Sequence, residues 1–139
     1  MSDPTAHHAG VTVSDLDRAV AFYTRVFDLA VVAEFSVGGE AFADAVGVAG
    51  ASASFAHLEA GGIRVELVEY DPEGEPMPAR SLDRPGATHL GLAVDDVAAF
   101  HDELADDVET LSEPRTTESG TTILFVRDPD GNLIEVLDA

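Results

Sequence analysis

Three observations predict an α+β fold built from two tandem βαβββ modules. The phrase HHAGVTVSD at residues 7–15 returns as THLGLAVDD at 88–96, which sets His89 at a spacing of 81 from His8. A second echo joins Val65-Glu66-Leu67-Val68 to Ile134-Glu135-Val136-Leu137. Around these landmarks each half reads as strand, helix and three further strands, and an internal repeat constrains the fold before any single element does. The 139 residues are expected to form one domain, with module one at about 5–70, a connector at about 71–86 and module two at about 87–138.

Module one opens with a strand over about 6–13, ending in Val11-Thr12-Val13. Ser14 is the expected N-cap, and Asp15 and Asp17 suit the positive end of a helix dipole. Leu16, Val20, Tyr23 and Phe27, with Ala19 and Val26 beside them, recur at helical spacing and predict a helix from about Asp15 to Asp28. Phe22, Tyr23 and, in the second helix, Phe100 are expected in the core rather than against a ligand. LAVVAEFSV reads as a strand. GGEAFADAVGVAG reads as a loop with one helical turn, whose Phe42, Val46 and Val48 either cover the site or pack on the sheet. ASASFAHLE and IRVELVEY read as a hairpin around Ala60-Gly61-Gly62.

The stretch DPEGEPMPARSLDRPG, rich in Pro, Gly and charge, is the connector. Module two repeats the order: ATHLGLAV as a strand, then Asp95 capping a helix through DVAAFHDELAD with Val97, Phe100 and Leu104 turned inward. His101 on that helix is expected in solvent. A short strand near VETLSEP follows, and TTILFVRD and NLIEVLD are joined by the turn residues Pro129-Asp130-Gly131-Asn132.

Composition narrows the partners. Acidic residues number 27 against 7 basic ones, all Arg, for a net charge of -20. The acids are spread along the chain rather than gathered in a disordered tail. Neither nucleic acid nor membrane is an expected partner, because phosphate binding needs basic clusters that are missing here. An evenly acidic, Lys-free surface resembles that of proteins from salt-accumulating halophiles, whose self-repulsion is screened by salt. No run of about 18 apolar residues is present and the N-terminus lacks signal-peptide features, so a cytoplasmic location is expected. With no Cys in the chain, a metal would be held by His and carboxylates.

Strand alternation singles out the two glutamates. Val65 and Leu67 share one face of their strand, leaving Glu66 on the other with Arg64 and Val68; likewise Ile134 and Val136 oppose Glu135. A carboxylate buried there without a partner costs several kcal/mol or loses its charge. A cation is one solution. Two imidazoles, His8 and His89, with two carboxylates, Glu66 and Glu135, make a mixed nitrogen and oxygen donor set suited to one divalent Zn, Ni, Co, Mn or Fe ion. Each residue taken alone is more often a strand-end His or a solvent-face Glu. Their matched positions in a repeat argue for a shared role.

HHAGVTVSDLDRAVAFYTRVFDL, THLGLAVDD and FVRDPDGNLIEVLD together resemble the vicinal oxygen chelate superfamily, which includes glyoxalase I, methylmalonyl-CoA epimerase, extradiol dioxygenases and the fosfomycin and bleomycin resistance proteins. The resemblance spans about residues 6–138. It implies paired modules whose curled sheets form a cleft with a metal at its floor, held from the first and last strands of each module. Carried onto this chain, those ligands are His8, Glu66, His89 and Glu135. His7 is set aside, because His8 alone aligns with His89 through the glycines that follow.

A full set of four ligands resembles glyoxalase I more than the dioxygenases, which use two His and one carboxylate. The implied activity is that of a lyase or isomerase removing a proton next to a carbonyl, with Glu135 or Glu66 as base. The alternatives are a binding or resistance protein, an epimerase and a dioxygenase. Family residues that hold glutathione, an Arg after the first His and an Asn after the first Glu, are replaced here by Thr12 and Tyr70. An epimerase would need cations for CoA, and only Arg64, Arg80, Arg84 and Arg115 are candidates. His57 is weighed as a satisfied structural histidine above a cleft residue, with the hairpin register open. The expected partners are a small-molecule substrate and a second copy of the chain in a homodimer.

Overall fold

The computed structural model of the chain describes residues 3–78 and 81–138, so Arg80 lies outside the described residues. The chain divides into two compact units, one ending at Pro76 and the next starting at Met77, inside the expected connector. The first unit runs β1 (His8–Thr12), α1 (Leu16–Phe27), β2 (Ala30–Val37), α2 (Glu40–Val46), β3 (Ser52–Glu59) and β4 (Arg64–Asp71). The second runs β5 (Leu90–Ala93), α3 (Val97–Asp102), β6 (Arg115–Thr116), β7 (Thr122–Arg127) and β8 (Leu133–Asp138). Each has a four-stranded sheet, ordered β1-β4-β3-β2 and β5-β8-β7-β6. In both, the first strand pairs in parallel with the last while the remaining pairs are antiparallel. The fold is α+β with two βαβββ modules.

Period-two alternation builds each core. Val65 and Leu67 of β4 are fully buried together with Ala56 and Leu58, their partners on β3. Helix α1 packs on β3 and β4 and buries Ala19, Phe22 and Tyr23, so the inner face centres on Tyr23 as expected. Leu16, Val20, Val26 and Phe27 of the expected stripe are half-buried at its edges. Ile134, Val136, Leu124 and Val126 repeat the pattern in the second unit. Each such aliphatic side chain contributes about 1.5–3 kcal/mol of transfer free energy. The opposite faces of β4 and β8 carry Glu66 and Glu135, half-buried as alternation requires.

The helix caps differ from expectation by one residue. Asp15, not Ser14, caps α1 by accepting from the Arg18 amide at 3.0 Å, while Ser14 Oγ accepts from Arg18 Nη2 at 2.9 Å. Asp96, not Asp95, caps α3 by accepting from the Ala99 amide at 3.0 Å. A tertiary contact explains the shift. The Leu16 amide donates to Glu69 Oε1 of β4 at 2.7 Å, and the Val97 amide donates to Asp138 Oδ2 of β8 at 2.8 Å. These carboxylates each satisfy a first-turn donor and decide where the helix begins.

Helix α3 is shorter than expected and ends at Asp102. The acids of Asp-Glu-Leu-Ala-Asp fall at the negative end of the helix dipole, where they oppose extension. His101, expected in solvent, is half-buried, and the Leu104 amide donates to its carbonyl at 3.1 Å. The strand expected near VETLSEP contracts to one bridge, Thr110 to Val126, and pairing resumes at β6. Ser112-Glu113-Pro114 lies between, and proline has no amide to donate. The loop expected after β2 holds α2, a helix of 7 residues, whose Phe42 packs down on Phe55 and Tyr70 while Val46 and Val48 stay exposed.

The turn between β7 and β8 is organised by Asp128. Its carboxylate accepts from the amides of Asp130 and Asn132 and from Asn132 Nδ2, all at 2.9 Å. Gly131 takes the left-handed conformation, with φ of 84°, that such a turn requires.

Candidate functional site

Parallel register decides what stands beside each glutamate. β1 sets Gly10 opposite Glu66, and β5 sets Gly91 opposite Glu135. The histidine two residues before each glycine therefore lies on the same sheet face as that glutamate. His8 Nε2 approaches Glu66 Oε1 to 3.6 Å, and His89 Nε2 approaches Glu135 Oε1 to 3.2 Å. The matching extends to exposure, at 39% and 37% for the imidazoles and 16% and 21% for the carboxylates. Each unit thus brings its own expected pair together.

Beyond these pairs the two units diverge. In the first, His7 Nδ1 lies 2.8 Å from His8 Nδ1, so the nitrogen His8 leaves free is the one facing Glu66. His57, directly opposite Glu66 in the hairpin register, is buried, and its Nε2 lies 2.7 Å from Glu66 Oε2. Arg64 Nη1 donates to the other ring nitrogen, His57 Nδ1, at 3.2 Å. In the second unit the position opposite Glu135 is Phe125, whose ring meets His89 edge-on at 5.1 Å. His57 was weighed chiefly as structural, and its contact with Glu66 was not foreseen. The hairpin register would have disclosed it, since counting back from a loop over 60–63 pairs His57 with Glu66.

The face carrying Glu66 continues as an aromatic surface. Phe35 stacks on Phe55 at 5.0 Å, and Phe42 stands edge-on to Phe55 at 6.1 Å and stacks on Tyr70 at 6.2 Å. Tyr70 and Thr12, at the positions where the family resemblance implied glutathione contacts, carry no charge.

The donor chemistry fits a divalent ion: one neutral-capable imidazole nitrogen and one carboxylate oxygen per unit, with no competing thiolate. A cradle supports the fit. A Cβ built at Gly10 would stand 3.8 Å from Glu66 Oε1, and one at Gly91 would stand 4.0 Å from Glu135 Oε1. Neither glycine has a positive φ, so their common feature is the space left beside a carboxylate oxygen. Among the described residues no three His, Asp or Glu side chains are arranged to hold an ion. The donors come as pairs.

Comparison with known proteins agrees with the architecture. The model of the Glyoxalase/Bleomycin resistance protein/Dioxygenase superfamily matches residues 5–136, and the chain belongs to that superfamily. A glyoxalase family protein from Bacillus cereus is similar in structure, with a TM-score of 0.81 at 19% identity over 99% of this chain and 95% of its own. The trypanothione-dependent glyoxalase I of Leishmania major has a TM-score of 0.66 at 23% identity over 98% of this chain and 87% of its own. At such identities the likeness is one of fold. The glyoxalase domain-containing protein RDO1 of Mycosarcoma maydis is 29% identical over 93% of this chain, which spans 65% of that relative's length. Members of the superfamily commonly bind a divalent metal and act on small molecules. Among the described residues no helix is long and apolar enough to cross a membrane.

Proposed function

We propose that the chain is a divalent-metal-dependent lyase or isomerase of glyoxalase I type, working as a homodimer on a small hemithioacetal-like substrate. One observation carries this reading: the imidazole–carboxylate pair recurs at equivalent positions of both modules, at 3.6 and 3.2 Å. His8 and Glu66 of the first unit and His89 and Glu135 of the second are the ligands we assign to the ion. An ion so held supplies Lewis-acid polarisation of the substrate oxygens. The proton is moved by protein. Glu135 Oε2 receives no hydrogen bond from the described residues of its unit, and Glu135 takes the proton from the carbon beside the carbonyl and returns it to the neighbouring carbon. Glu66, with Oε2 occupied by His57, holds its position. The uncharged Thr12 and Tyr70 and the aromatic surface beside Glu66 favour an apolar thiol adduct over glutathione.

A second reading, a small-molecule-binding protein of the resistance kind, is supported by the same aromatic surface. Metal content and isomerisation rate, measured together on protein purified in high salt, separate the two. Glu135→Gln is expected to keep metal and lose about 10²–10⁴-fold in rate, the usual general-base contribution. His8→Ala and His89→Ala are expected to lose metal first. Wild-type protein without bound metal, or variants with wild-type metal and rate, would overturn the proposal; a monomer by light scattering would remove the dimer.

A further inference from the structure

Glu66 differs from Glu135 in one respect that the repeat does not explain: a buried imidazole is fastened to it, and that imidazole is fastened in turn to a guanidinium. A guanidinium has five N–H donors and no acceptor. Arg64 Nη1, 3.2 Å from His57 Nδ1, can only donate, so Nδ1 must carry a lone pair. The ring proton then sits on Nε2, which points at Glu66 Oε2 from 2.7 Å. With the opposite tautomer, two lone pairs would face each other at that distance and the guanidinium would meet an N–H.

From this chain of contacts we infer that His57 is a positioning residue for Glu66, its tautomer set by Arg64. The Nε2–H of His57 binds Oε2 and leaves Oε1 as the oxygen turned toward His8 Nε2, 3.6 Å away. The side chain is thereby held to one rotamer, and a carboxylate already ordered loses less freedom when it takes up an ion. Outer hydrogen bonds of this kind orient ligands, and their loss typically weakens metal binding about 10–100-fold. The ring is only 7% exposed and stacks 5.9 Å from His8, so water does not compete freely for Nε2. At the matching place in the second unit, Phe125 has nothing to donate. The two glutamates are therefore supported differently: Glu66 is held at Oε2 by His57, while Glu135 meets His89 at Oε1 and has Phe125 where Glu66 has His57.

The inference rests on Glu66 being a ligand, and two measurements keep its fate distinct from that reading. Long-range nitrogen–proton NMR of the imidazoles in metal-free full-length protein is expected to report the Nε2–H tautomer at His57. The signal should shift toward the other tautomer in Arg64→Met, a change at an exposed side chain. Competition titration with Co(II) is then expected to rank His57→Gln, whose amide N–H replaces Nε2–H, close to wild type and His57→Phe about 10–100-fold weaker. An Nδ1–H tautomer in the wild type would overturn the inference, as would equal Co(II) affinity for His57→Phe and wild type. Wild-type protein that binds no Co(II) would instead sink the metal reading, and the tautomer measurement alone would still decide whether Arg64 orients His57 on Glu66.

Discussion

Gly10 and Gly91 are glycines in strands, where a residue without a side chain weakens packing and costs backbone entropy. Their value here is spatial, because each faces a glutamate across a parallel register. Gly10→Ala places a methyl group 3.8 Å from Glu66 Oε1, an ordinary contact that the fold can accept. The variant is expected to melt within a few degrees of wild type yet to bind Co(II) on the order of tenfold more weakly, by crowding the carboxylate that His57 holds. Unchanged affinity would mean that the space beside Oε1 is not used. At this scale the two imidazole–carboxylate pairs were legible because the pattern appears twice, and repetition sets His8, Glu66, His89 and Glu135 apart from a His or Glu that merely faces solvent. His57 was not legible in the same way. It has no counterpart in the second module, and its role depends on a cross-strand register that composition does not specify.

Helices α1 and α3 were legible as elements and misread at their first residues. Local chemistry allowed Ser14 or Asp15, and Asp95 or Asp96, to cap, since Ser and Asp are both good N-caps. The choice was made by β4 and β8, which bring Glu69 and Asp138 to the first helical amides. Both acids stand three residues after a candidate ligand glutamate. One residue more of the second echo would have exposed them as a matched pair. The same strands thus carry carboxylates on both faces: Glu66 and Glu135 on the candidate-site face, Glu69 and Asp138 toward the helix. Anchoring each helix N-terminus to the last strand of its unit also fixes the short connection from the first strand, residues 13–15 in one unit and 94–96 in the other. Glu69→Ala removes an acceptor from a part-buried amide and is expected to lower stability by about 1–2 kcal/mol in urea titration, with Asp138→Ala costing a similar amount. Glu69→Gln, which keeps an oxygen, should lose less. Equal stability of Glu69→Ala and wild type would show that Asp15 alone suffices to start α1.

At the scale of the whole molecule, charge governs how the fold survives rather than how it is shaped. The alternation and helical spacing that produced the architecture are unaffected by the acids, which fall mainly at exposed positions. Yet 27 acidic residues against 7 basic ones leave a net charge of -20 on 139 residues. Few of these charges can be paired, and the unfolded chain relieves the repulsion by expanding, so the compact state bears the cost. Screening length is about 10 Å at 0.1 M salt and about 3 Å at 1 M. Moving between those conditions removes most interactions between surface carboxylates that are not direct neighbours. A stabilisation of about 2 kcal/mol from molar KCl would raise Tm by roughly 5–10 °C for a chain of this length. The expected outcome is a melting temperature that climbs steadily from low to molar KCl, with secondary structure lost at the lowest salt. A Tm that stays flat across the series would mean that the acidic surface imposes no repulsive cost on this fold, and the resemblance to halophilic proteins would lose its physical basis.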